Sequence, residues 1–121
     1  MRFVIKPKYI VVDIKVPNPV VPKIYEKVKR LMTEMGPPVI RAIWFEQHKM
    51  WIAVEGSHRI YAAKELGLPV IIQRVGKEEL VKNDFKWLRQ PCPAGVICYR
   101  MLNPEGFETP PLVSNVKVII K

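Results

Sequence analysis

The chain is short of cysteine, short of acidic residues and free of long hydrophobic runs, and each shortage excludes a class of protein. Its only cysteines are Cys92 and Cys98, with five residues between them. Two thiols cannot build the disulfide framework of a small secreted domain. Their spacing matches no common zinc pattern, and the only histidines, His48 and His58, lie well upstream. They read as ordinary thiols, with one local disulfide left open for a hyperthermophilic source. No apolar run reaches the ~20 residues that span a bilayer. The opening Met1–Lys6 stretch lacks the apolar region of a signal peptide. The expectation is a cytoplasmic protein with no membrane partner. Asp and Glu number 11 against 20 Lys and Arg, for a net charge of +9. Such a surplus attracts polyanions, nucleotides and nucleic acid among them. Lysine-rich surfaces also accompany thermostability, so charge alone does not assign a partner.

The chain's 121 residues suit one domain, 1–121, and 49% of them are hydrophobic, a globular rather than a disordered composition. Proline is the unusual abundance: twelve copies, clustered at 17–22, 37–38, 91–93 and 104–111, punctuate the sequence. Residues 3–16 are rich in Val and Ile and read as extended, broken near Pro7. A helix is expected from Pro22, because Val21, Ile24, Val28, Leu31, Met32 and Met35 recur at three and four. Gly36 ends it and Pro37-Pro38 prevents its continuation. Val39–Phe45 and Met50–Val54 read as a hairpin across a polar turn. A short helix is expected over Ile60–Leu66, stopped by Gly67, then a strand over Pro69–Val75. Lys77–Leu88 reads as a further helix, with Leu80, Val81, Phe85 and Leu88 as its apolar stripe. Residues 90–111 read as irregular, and 115–121 as a last strand. The sum is an α+β domain: a mixed sheet with two to three packed helices.

The chemistry concentrates at Glu55-Gly56-Ser57-His58-Arg59, where a strand turns into a helix. The first N–H groups of a helix lack internal partners, and the dipole places positive charge there. Gly56 permits a tight turn and close approach. Ser57 offers a hydroxyl, as cap or as donor. Arg59 carries a forked cation suited to phosphate, and His58 donates in either protonation state. Cations at a helix start are mildly destabilising, which favours an anionic ligand over a solvated first turn. Gly56, Ser57, His58 and Arg59 are therefore the expected phosphate contacts. Lys23 is a further candidate contact, with a solvated helix-start lysine as the alternative. Glu55 is a weak candidate for a base or metal ligand, against a structural role in the turn; Asp13 and Glu46 are weaker still. No metal site is expected. Trp44, Trp51, Trp87 and Tyr61 offer faces for base stacking, but core positions suit them better.

Residues 54–75, VEGSHRIYAAKELGLPVIIQRV, resemble the signature segment of the ParB/sulfiredoxin superfamily. Upstream, Asn18-Pro19 is similar to the family's Asn-Pro turn, and a helix ending in Gly36-Pro37 and a hairpin follow in the family's order. The likeness covers about residues 9–75 and leaves 77–121 as an extension. It implies a ParB-like domain that binds nucleotide or nucleic acid through Gly56, Ser57, His58 and Arg59, with ATP, ADP or CTP and Mg2+ as the implied cofactor. Ser57 stands where sulfiredoxins carry their catalytic cysteine, so that chemistry is not expected. The residues after Gly76 are proline-interrupted and do not resemble the DNA-binding domain of partition proteins. A binding module is the leading expectation. The alternative is an enzyme of the superfamily, a nucleotide-dependent phosphotransferase or kinase, or a ParB-like nuclease.

Overall fold

Five strands among the described residues form a ring. A computed structural model describes residues 9–46, 49–81, 91–96 and 111–121. In chain order the elements are β1 (Ile10–Lys15), α1 (Pro22–Met35), β2 (Val39–Phe45), β3 (Met50–Ala53), α2 (Ser57–Leu66), β4 (Val70–Arg74), β5 (Leu80–Val81), β6 (Cys92–Pro93) and β7 (Leu112–Ile120). The sheet runs β1-β3-β2-β4-β7 and closes on itself as a barrel. β1 lies parallel to β3, and β2 parallel to β4. β2 and β3 form the expected antiparallel hairpin, with Trp44 opposite Trp51. β7 runs parallel to β4 and antiparallel to β1, which closes the ring. The mixed sheet with its packed helices is an α+β fold, as the composition of the segments required.

Local sequence sets the helix ends. Pro22 opens α1, where its missing N–H costs nothing, and Gly36 closes it at φ 80°. Gly67 ends α2 in the left-handed region at φ 72°. The Gly67 and Leu68 amides then donate to Lys64 and Ala63, a Schellman ending. The two helices lie against each other, tied by Lys29 Nζ to Glu65 at 2.8 Å and by a Tyr25 hydroxyl that also donates to Glu65.

Apolar side chains from both layers meet in one main core. Ile14, Ile40 and Ile72 from the strands and Ile60 and Ala63 from α2 are nearly or fully buried there. A second cluster gathers Ile43, Ile52, Val54, Val75, Val81 and Ala94. The register of β1 against β7 slips between Val12 and Ile14. Opposite the slip, Asn115 adopts φ 57° and its amide donates to Asp13 Oδ1 at 3.0 Å. Asp13 is thus a sheet-repair residue at this bulge.

Residues 77–81 depart from the sequence reading. They form a turn followed by β5, which pairs antiparallel with β6, and not the start of a helix. The amides of Ala94 and Gly95 take the carbonyls of Glu79 and Lys77 at 2.8 Å each. Val81 turns into the second core cluster. Contacts distant in sequence therefore override the local helical period. The rest of that expected helix, with Phe85, Trp87 and Leu88, lies outside the described residues, as do His48 and Cys98. Cys92 is a free, half-buried thiol.

Candidate functional site

The turn from β3 into α2 is built around one left-handed glycine. Gly56 adopts φ 77°, ψ 32° and takes the N-cap position, so α2 starts at Ser57, three residues earlier than the apolar period indicates. A Cβ on Gly56 would overlap Ile40 Cδ1 and stand 3.2 Å from Arg59 Nη2. Glycine is thus required here by backbone angle and by space.

Each side chain after Gly56 has a structural partner. Ser57 is buried, and its Oγ accepts the Asn18 amide at 3.0 Å. That bond leaves the hydroxyl proton available for donation. His58 Nε2 accepts the Val21 amide at 2.9 Å. Nε2 is therefore occupied as an acceptor, which leaves Nδ1 as the ring nitrogen open to a ligand. Together the two bonds fasten the segment between β1 and α1 across the start of α2. Arg59 Nη1 donates to the Val39 carbonyl at 3.2 Å, and Nη2 lies 4.0 Å from Glu55 Oε2.

Glu55 faces away from this helix start, toward β2. Its Oε1 accepts Arg41 Nε at 3.0 Å and the Arg41 amide at 3.3 Å, while Oε2 accepts Arg41 Nη2 at 3.2 Å. Burial pushes the Glu55 carboxyl up. The hydrogen bonds and charge of Arg41, helped by Arg59, outweigh that effect and hold its pKa below the ordinary carboxylate value. Glu55 is therefore ionised near neutrality and engaged in a fork with Arg41. Two guanidinium groups against one carboxylate leave the turn with a local positive charge.

Gly56, Ser57, His58 and Arg59 line one wall of a pocket of about 330 Å3, and Asn18, Ile24 and Val28 line the other. The structure thus brings all four expected contacts to one cavity. Neither Lys23 nor Glu55 is in the lining. Asn18, Ile24, Val28 and Arg41 were not picked out as site residues in the sequence. The Asn18-Pro19 turn was the one signal available for the opposite wall. A helix beginning at Ser57 leaves the amides of residues 57–59 without intrahelical acceptors, whereas Ile60 already donates to Gly56 at 3.0 Å. The lining combines these donors, one guanidinium and an apolar wall. No carboxylate is among the described lining residues. Among the described residues, no group of three His, Cys, Asp or Glu side chains is placed to hold a metal ion.

The described aromatic candidates, Trp44, Trp51 and Tyr61, lie outside this lining. Trp51 is buried and stacks at a tilt on half-buried Trp44, 5.4 Å between centroids, with Arg74 above it. Glu46 accepts the Trp44 indole N–H. None of them reaches the pocket lining. No helix among the described residues is long and apolar enough to cross a membrane. Comparison with known proteins finds no matching family model, no matching curated protein and no matching solved structure.

Proposed function

We propose that this chain is a ParB/sulfiredoxin-like module that binds a phosphate-bearing ligand, nucleotide or nucleic acid, at Gly56–Arg59. One observation carries the reading: four consecutive residues at a helix start, the Arg59 guanidinium among them, line a single pocket of about 330 Å3. Helix-start amides and the dipole favour an anion there, and pocket size falls within the ~300–1,000 Å3 of ligand sites. Ser57 Oγ–H and Arg59 supply side-chain donors beside those amides. The apolar wall from Ile24 and Val28 suits the less polar part of a nucleotide. The net charge of +9 suits a longer polyanion that continues beyond the pocket. Where Mg2+ takes part, it would arrive on the phosphates, since no carboxylate is among the described lining residues.

Calorimetric titration with pyrophosphate, ATP, ADP, CTP and single- and double-stranded DNA, with and without Mg2+, tests the reading. Amide shifts of Ser57, His58 and Arg59 in NMR spectra locate the contact. The expected result is binding by at least one of these ligands, with shifts centred on those amides. Arg59→Gln should weaken it by about tenfold, the loss of one charged contact. Binding of none of them, or shifts confined elsewhere, would sink the proposal. Turnover of ATP or cleavage of DNA would move the assignment to an enzyme.

A further inference from the structure

α1 carries far more apolar surface than the fold uses. Met32 is its only buried residue. Ile24, Leu31 and Met35 are 49%, 48% and 80% exposed, and with half-buried Val28 they follow the three-and-four spacing of a single stripe. The stripe spans about three turns, roughly 16 Å at ~1.5 Å per residue. Beside its C-terminal half lies a groove of about 380 Å3, walled by Leu31, Met35, Pro37, Pro38 and Val39, with Arg59 as the one charged residue among its described lining. Half-exposed Val39 extends the same surface onto β2. Leaving so contiguous an apolar face in water is costly, and such patches mark interaction sites.

The charges around the stripe indicate what covers it. On the helical wheel Lys23, Lys27, Arg30 and Glu34, all exposed, form the adjoining solvent-side flank, three cations to one anion. Arg59 adds a further cation at the groove. We infer that the exposed stripe of α1 and the Pro37–Val39 groove dock an acidic amphipathic helix of a partner protein. Its apolar side chains would lie on Ile24, Leu31 and Met35, and its carboxylates would face Lys23, Lys27 and Arg30. A helical ridge about three turns long matches a helix better than an extended strand. A second copy of the chain is the poorer occupant, because two such faces would set their basic flanks against each other. Nucleic acid would leave the apolar stripe without a partner. The inference concerns a different surface from the anion pocket, sharing with it Ile24, Val28 and Arg59.

The test uses a synthetic peptide of about four helical turns with Leu at helical spacing and Glu elsewhere, titrated into isotopically labelled protein. The expected result is micromolar binding with shifts centred on Ile24, Leu31, Met35 and Val39. A peptide with Lys in place of Glu should bind about tenfold or more weakly, as should a scrambled peptide without an apolar face. Leu31→Glu/Met35→Glu should abolish binding while pyrophosphate titration is unchanged, because neither residue lines the anion pocket. Lys27→Glu/Arg30→Glu leaves the groove intact and should cost about tenfold by charge alone. Equal affinity for the acidic and scrambled peptides, or shifts away from α1, would overturn the inference. So would sedimentation showing that the chain dimerises through this face, or side-chain contacts showing that it is covered by the chain itself.

Discussion

Gly56 shows how much one position can decide. Its left-handed backbone lets β3 pass into α2, and the absent Cβ leaves room for Ile40 and for the Arg59 guanidinium. Gly56→Ala should therefore destabilise the fold by about 1–3 kcal/mol through strain and overlap. Gly67 has a similar φ of 72° but open space around it, so Gly67→Ala should cost only about 1 kcal/mol. Urea denaturation of the two variants separates the contributions: equal losses would show that the contact with Ile40 does not matter. At this scale the sequence was informative about identity and less so about role. Gly56, Ser57, His58 and Arg59 stood out because their types suit an anion. That Ser57 and His58 also hold the backbone of Asn18 and Val21 was not legible, since those bonds join residues 39 and 37 positions apart.

Elements with a strong local pattern were legible, and those decided by distant partners were not. The apolar period, Pro22 and Gly36 delimit α1 within the sequence itself, and the β2–β3 hairpin follows from its short connection. α2 starts earlier than its apolar residues indicate because Gly56, not a polar side chain, makes the cap. β5 replaces the beginning of an expected helix because Val81 finds the second core and the 94–95 backbone takes the nearby carbonyls. The fork between Arg41 and Glu55 is a tie of the same long-range kind, fastening β2 to the turn before α2. Since the Glu55 pKa is depressed on folding, its contribution is present above the unfolded carboxyl value, ~4.3, and is lost as pH falls through the folded value. Glu55→Gln should thus lower the melting temperature at pH 7 and narrow the gap to the parent below about pH 4. Parallel melting curves across that range check this; a constant difference would show that the carboxylate charge is not what the tie uses.

For the whole molecule, the α+β class was legible, but the closed ring was not. Closure depends on β7, whose Val118 lies between Ile10 of β1 and Val70 of β4. Alternating valines announce a strand there without saying which neighbours it joins. A chain cut before Leu112 should lose both pairings, expose Ile14 and Ile72, and be digested by protease under conditions where the full chain resists. Resistance of the shortened chain would show that the other four strands hold without it. The ring also imposes an order on biosynthesis. β1 leaves the ribosome long before β7, one of its two partners. Until then, β1 and β4 each have an unpaired edge, open to chance pairing with other nascent chains. The finished barrel hides those edges, so this protein is most exposed in the interval between the making of β1 and the arrival of β7.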